Sequence, residues 1–149
     1  MREEIYNYLH DYGFSAIEID KIESSNENMF FTDISEVRKN ISFLEEKYLE
    51  SEDIIFIINN NPFMLTEKNN RLESIDEIYS LLQFDYESLK QLIKNNPKAY
   101  TLSPVELKKI IDYLKSKNCS IEAIRKLFIQ NSKVISMKFE DFERAIKFS

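Results

Sequence analysis

A repeat with a period of 35 residues constrains this chain more than any other feature of its sequence. An asparagine stands in register in all four copies, at Asn26, Asn61, Asn96 and Asn131. Five columns of apolar or aromatic residues share that register without gaps: Leu9, Leu44, Tyr79 and Leu114; Ile19, Ile54, Leu89 and Ile124; Ile22, Ile57, Leu92 and Leu127; Phe30, Leu65, Tyr100 and Ile135; Val37, Leu72, Leu107 and Phe142. Chance supplies one such column but hardly five, so the sequence predicts repeats that bury one another's apolar faces.

Within each repeat the apolar spacing predicts a longer helix, a shorter helix and a tight turn. In the fourth repeat, Leu107, Ile110, Ile111 and Leu114 have the spacing of one helical face, and a second such face begins at Ile121. The chain has one glycine and three prolines, too few for the many tight turns of a β-sandwich or barrel. We therefore expect an all-α single domain of about four repeats and a capping helix, at residues 1–34, 35–69, 70–103, 104–138 and 139–149.

Capping signals predict where the helices begin. Ser103, Pro104 and Glu106 combine an N-cap, a proline at the first helical position and a capping box. The other predicted starts are two capping boxes and three simple N-caps: Ser15 with Glu18, Asp33 with Glu36, Ser51, Asp85 and Ser120.

The break between the two helices of a repeat falls at the column Gly13, Tyr48, Gln83 and Asn118. Glycine and asparagine adopt the left-handed conformation beyond a helix end more easily than other residues. We therefore expect this conformation at Gly13 and Asn118, and a turn of another kind at Tyr48 and Gln83.

An asparagine–proline pair closes the second helix in the two middle repeats, at residues 61–62 and 96–97. The residue before a proline is pushed away from helical geometry, and an asparagine side chain can bond the local backbone. The residues that follow, 63–65 and 98–100, predict one short 3₁₀-like turn whose last apolar side chain packs inward.

This pattern of an apolar helix, Asn-Pro and a short turn resembles the repeat of the mitochondrial transcription termination factor (mTERF) family. The best matches are residues 57–65 and 92–100, and the segments at 113–114 and 119–121 resemble the repeat as well. The resemblance implies a right-handed α-solenoid with two helices and a 3₁₀ turn per repeat. It also implies binding of DNA or RNA on the concave or basic side of the solenoid.

The charge of the chain is unevenly distributed. Residues 1–69 hold 6 Lys+Arg against 15 Asp+Glu, a net of −9, whereas residues 70–149 hold 14 against 11, a net of +3. Basic side chains recur in register in the second half, and a line of them can follow a phosphate backbone. The first hypothesis is therefore nucleic-acid binding by six residues: Lys90, Lys94, Lys98, Arg125, Lys126 and Lys133. The alternative interpretation is that these basic residues form a lysine-rich helix face that is only solvated and binds nothing.

The acidic first half supports a second hypothesis. Glu45, Glu46, Glu50 and Asp53 would engage a basic protein surface, so that the chain would act as an adaptor or inhibitor that mimics nucleic-acid charge.

Neither an enzyme nor a metal site is indicated. The chain holds one histidine and one cysteine, His10 and Cys119. His10 has the character of a surface residue, and Cys119 occupies a core column with Phe14, Leu49 and Phe84. A single glycine leaves no phosphate-binding loop, so we expect no cofactor and no small-molecule substrate. The lone cysteine, the acidic start and the lack of a long apolar run predict a cytoplasmic protein without a membrane span.

Overall fold

The computed structural model describes residues 2–147, with the backbone alone described at residue 147. This part of the chain contains helices and turns and no strand, which confirms the all-α prediction. Its α-helices are α1 (Arg2–Tyr12), α2 (Ala16–Ser25), α3 (Ile34–Glu45), α4 (Ser51–Asn60), α5 (Asn69–Leu81), α6 (Tyr86–Asn95), α7 (Pro104–Ser116), α8 (Ile121–Gln130) and α9 (Phe139–Lys147). Three 3₁₀ helices follow α2, α4 and α8, at Glu27–Phe31, Pro62–Leu65 and Ser132–Ser136.

The apolar columns form the core. Of the twenty residues in the five columns, nineteen are buried and Leu127 alone is half-buried. Each side chain of this size contributes about 1.5–3 kcal/mol when it leaves water, so the columns supply the main driving force for folding. The first helix of every repeat is also longer than the second, as the apolar spacing predicts.

The described residues divide into two compact units, one ending at Asn69 and the other beginning at Asn70. In the N-terminal unit, α1 packs on α2 and α3, and α4 packs on α2 and α3. In the C-terminal unit, α8 packs on α6 and α7, and α9 packs on α7. Within each unit the second helices of successive repeats lie side by side, which places equivalent residues of neighbouring repeats next to each other.

All four residues of the helix-break column adopt positive φ: Gly13 (133°), Tyr48 (59°), Gln83 (60°) and Asn118 (66°). The expectation of a different turn at Tyr48 and Gln83 is therefore wrong. A left-handed non-glycine residue costs about 1–2 kcal/mol. The turn also buries the next residue, Leu49 or Phe84 in these repeats, which contributes about 1.5–3 kcal/mol and outweighs the strain.

In three of the four repeats the residue after the break closes the first helix with a hydrogen bond five residues back. The N–H groups of Phe14, Phe84 and Cys119 donate to the carbonyls of Leu9, Tyr79 and Leu114, at 3.0, 3.2 and 3.1 Å. These bonds satisfy carbonyls that the helix end leaves open, as in a Schellman motif.

Most of the predicted helix starts are confirmed. Ser15 and Glu18 form a capping box, and Asp85 and Ser120 are N-caps. Ser51 is not an N-cap, because Glu50 occupies that position and its N–H donates to the Asp53 carboxylate at 3.3 Å.

Two predicted capping boxes are only half formed. Asp33 is an N-cap, and its carboxylate accepts from the Ser35 N–H at 2.9 Å. Ser103 accepts from the Glu106 N–H, but the Glu106 carboxylate accepts from the Phe139 N–H at 2.8 Å. The carboxylate of Glu106 thereby caps the start of α9 instead of its own helix.

Helix α9 covers the fourth repeat, as predicted. Phe142 is buried, and the rings of Phe139 and Phe142 meet the Tyr113 ring of α7 at 5.8 and 5.9 Å between centroids. The predicted cap extends to residue 149, and its last two residues lie outside the described part of the chain.

Candidate nucleic-acid interface

The turn after each second helix joins one repeat to the next through the asparagine column. Asn96 is buried, and its amide donates to the Ser132 carbonyl at 3.0 Å and to the Ser136 hydroxyl at 2.8 Å, both in the following repeat. In the N-terminal unit Asn26 makes the equivalent bonds, to the Pro62 carbonyl and the Thr66 hydroxyl, at 3.1 and 2.9 Å. The asparagine is therefore a link between repeats.

The same asparagine also has the local role that the sequence predicts. The Asn96 side-chain oxygen accepts from the Lys98 N–H at 3.1 Å. The turn that follows is held by bonds from Ala99 to Asn96 and from Thr101 to Lys98, at 2.9 and 3.0 Å. The exposed Lys98 therefore extends from a turn whose backbone is fixed on both sides.

Helices α6 and α8 carry the six predicted basic residues, together with the turns that follow them. Asn95 fixes the ends of these helices against each other. Its side-chain amide donates to the Ile129 carbonyl at 2.9 Å, and its main-chain carbonyl accepts from the Ser132 hydroxyl at 3.1 Å. The Asn96 amide also donates to the Ser132 carbonyl at 3.0 Å, so the turns that carry Lys98 and Lys133 are neighbours in the C-terminal unit.

Four of the six basic residues are exposed on α6, α8 and the turns that follow these helices, and we refer to the four together as the basic edge: Lys94, Lys98, Lys126 and Lys133. Lys126 pairs with Glu122 on the same helix at 3.4 Å, with both side chains about two-thirds exposed, at 66% and 68%. An ion pair this open to water is worth less than about 1 kcal/mol, so it does not prevent Lys126 from meeting a phosphate.

The other two, Lys90 and Arg125, are half-buried. The Arg125 guanidinium donates to the Leu82 carbonyl at 2.8 Å, at the end of α5. Arg125 therefore closes a helix terminus and has a structural role that a column of basic residues does not reveal.

An acidic group near Arg125 lowers the local positive potential. Hydrogen bonds from Ser88 hold the pKa of the Asp85 carboxyl below its usual value, and the charge of Arg125 adds to this effect. The start of α6 is thus acidic, with Asp85 and Glu87 both exposed, whereas its end carries the basic Lys94.

The predicted acidic residues lie in the N-terminal unit around the break between α3 and α4. Glu45 and Glu46 are exposed at the C-terminal end of α3, and Glu50 and Asp53 are at the start of α4. Acidic side chains stabilise a helix start and destabilise a helix end, by about 0.3–1 kcal/mol each. Helix stability therefore accounts for Glu50 and Asp53 but not for Glu45 and Glu46.

Glu45 also acts on two tyrosines of α1. Burial, together with the smaller effect of the Glu45 charge, raises the pKa of Tyr12 to about 12. The pKa of Tyr8 is raised by the same two causes, and the Arg38 charge opposes the shift.

The sequence interpretation missed two sets of polar residues. The hydroxyls of Thr66 and Ser136 accept hydrogen bonds from the asparagine of the preceding repeat, and their spacing of 70 residues, two repeat periods, is a signal that was available. Asn40 is buried in a column otherwise occupied by isoleucine, and its amide donates to the carbonyls of Met64 and Glu67 at 3.0 and 2.7 Å. A single polar residue in an apolar column indicates such a long-range bond.

The single histidine and the single cysteine of the chain belong to different units. His10 is exposed and stacks on Tyr6, with 6.2 Å between ring centroids. Cys119 is half-buried, less enclosed than the core position predicted for it. Among residues 2–147, no group of three or more His, Cys, Asp or Glu side chains is arranged to hold a metal ion. None of the helices described in this range is long and apolar enough to span a bilayer.

These features define a class: an all-α chain built from repeats of two helices and a short turn, joined by a buried asparagine. A family model described as mTERF matches residues 33–149, which is 117 of the 149 residues. The chain therefore belongs to the mTERF family. The match begins at the start of α3, so the first repeat has the family's helix–helix–3₁₀ order without matching its sequence model. No curated protein matches the chain.

Proposed function

We propose that this protein is a non-enzymatic module that binds nucleic acid through the basic edge of its C-terminal unit. Members of the mTERF family generally bind nucleic acid, and residues 33–149 match that family. The observation that carries the proposal is the exposure of Lys94, Lys98, Lys126 and Lys133 on α6, α8 and their turns. Each lysine that meets a phosphate releases condensed counterions, and this release drives binding.

The C-terminal unit is the better candidate surface because of its charge. Residues 70–149 have a net charge of +3, whereas residues 1–69 have −9 and would repel a phosphate backbone. The hydrogen bonds of Asn95 and Asn96 fix the turns that carry Lys98 and Lys133. A rigid placement lowers the entropy lost when the lysines bind.

The test is binding of fluorescein-labelled DNA and RNA oligonucleotides at low salt, measured by anisotropy. We expect Lys98→Ala/Lys133→Ala to weaken binding roughly tenfold, at about 0.5–1 kcal/mol per phosphate contact. Lys108→Ala/Lys109→Ala is the matched control, because it removes the same charge from α7 of the same unit and both lysines are exposed. Equal losses in the two variants would show that net charge matters and the basic edge does not.

A second candidate function is supported by the placement of Glu45 and Glu46. Their position at the end of α3 opposes the helix dipole, so a role other than helix stability is indicated. We propose that they bind a basic protein surface, together with Glu50 and Asp53. Co-purification with a basic protein should be lost in Glu45→Lys/Glu46→Lys and kept in a variant with two lysines at other exposed acidic positions, Glu3→Lys/Glu4→Lys.

A further inference from the structure

Helix α6 carries an exposed aromatic ring next to its basic residues. Tyr86 is 51% exposed, and it is the one aromatic side chain more than half exposed among the described residues of the C-terminal unit. The other repeats have Ala16, Ser51 and Ile121 at this position, so the ring is not required by the repeat. Tyr86 therefore distinguishes the third repeat from its neighbours.

Tyr86, Lys90 and Lys94 are spaced four residues apart on α6. Residues at this spacing lie on the same side of a helix and about 6 Å apart along its axis. Tyr86 is thus about 12 Å along the helix from Lys94, a distance that a strand of a few nucleotides spans. Lys98 follows at the same sequence spacing, in the turn beyond the helix end.

The charges at the two ends of α6 set what each end can bind. Asp85 and Glu87 are exposed beside Tyr86, and carboxylates repel phosphate. Lys94 and Lys98 attract it at the other end. A nucleotide can approach Tyr86 through the uncharged face of its base, while the phosphates of its neighbours meet the lysines.

From this arrangement, and on the basis of the proposed function, we infer that the chain binds single-stranded nucleic acid with an unpaired base stacked on Tyr86. Aromatic side chains bind single strands in this way without reading their sequence. In a duplex both faces of each base are covered by neighbouring base pairs, so Tyr86 has no base to stack on. The chain should therefore prefer a single strand to the duplex of the same sequence.

The test compares a labelled 12-nucleotide single strand, as DNA and as RNA, with the corresponding duplexes, by anisotropy over a series of salt concentrations. We expect Tyr86→Ala to weaken single-strand binding roughly 5- to 100-fold and leave the duplex affinity unchanged. Tyr86→Phe should retain the wild-type affinity, because the ring remains. The slope of log K against log salt should be the same in wild type and Tyr86→Ala, since no charge is removed.

Two further variants separate this inference from the proposed function. Val105→Ala removes an exposed apolar side chain from α7 of the same unit, 61% exposed, and should bind as the wild type does. Lys94→Ala should weaken binding to single strands and duplexes alike and reduce the salt slope by roughly 0.7–0.9. An unchanged single-strand affinity in Tyr86→Ala, beside a loss in Lys94→Ala, would overturn the stacking inference alone. A lack of binding to every oligonucleotide at low salt would overturn both proposals.

Discussion

Replacing Asn96 by alanine should destabilise the fold far more than the same change at Asn131. Both residues occupy the same column, but Asn96 is buried and donates to Ser132 and Ser136 of the next repeat, whereas Asn131 is exposed at the end of α8. The comparison therefore sets a buried asparagine that links two repeats against an exposed asparagine at the equivalent helix end.

The magnitude follows from the bonds that Asn96 makes. It donates two hydrogen bonds and accepts a third from the Lys98 N–H at 3.1 Å. Each is worth about 0.5–1.5 kcal/mol net, and a buried group left without a partner costs about 1–3 kcal/mol. We expect Asn96→Ala to lower the free energy of unfolding by about 2–4 kcal/mol. Asn131→Ala should lower it by about 0.5 kcal/mol or less, as at other surface positions.

Urea unfolding, followed by far-ultraviolet circular dichroism and by tyrosine fluorescence, measures both variants. With a slope of about 2 kcal/mol per molar urea, the Asn96→Ala midpoint should fall by about 1–2 M. Equal midpoints for Asn96→Ala and Asn131→Ala would refute the argument that the asparagine column holds neighbouring repeats together.

Three other outcomes are expected. Gly13→Ala should lose about 1–3 kcal/mol of stability in the same assay, because φ at Gly13 is 133° and an added Cβ would lie 3.0 Å from Ile55 Cδ1; an unchanged midpoint would contradict this. Phe142→Ala should lose about 3–5 kcal/mol, since the ring is buried against α7, and a loss under 1 kcal/mol would mean that α9 is not docked in solution. Burial raises the pKa values of Tyr79 and Tyr100 above 10, so the folded state holds these protons longer than the unfolded state and stability should fall as the pH rises beyond about 10. Absorbance at alkaline pH should show these two rings ionising only as the helices unfold, and ionisation of all tyrosines near pH 10 with the fold intact would contradict the burial.

The sequence was sufficient to predict the fold class because folding is driven by the burial of apolar residues, and these residues recur at a fixed interval. Ile54, Leu89 and Ile124 recur at one interval, and all are buried at equivalent places. Backbone geometry at the helix break was predicted less well. Propensity favours glycine or asparagine there, but packing imposes positive φ on Tyr48 and Gln83 as well.

Contacts between distant residues were the least predictable. The Glu106 carboxylate bonds the Phe139 N–H, 33 residues away, although its spacing from Ser103 indicates a local capping box. The role of Arg125 was equally hard to predict. Recurrence at 35 residues places Lys90 and Arg125 at equivalent positions, but it does not reveal that Arg125 donates a hydrogen bond to the Leu82 carbonyl. A hydrogen bond of this kind depends on the packing of whole helices, which spacing alone does not specify.

The salt dependence of nucleic-acid binding tests the central claim most directly. The slope of log K against log salt should be shallower by about 3 when Lys94, Lys98, Lys126 and Lys133 are all replaced by alanine, at roughly 0.7–0.9 per phosphate contact. A quadruple variant whose slope equals that of the wild type would contradict the assignment of phosphate binding to the basic edge.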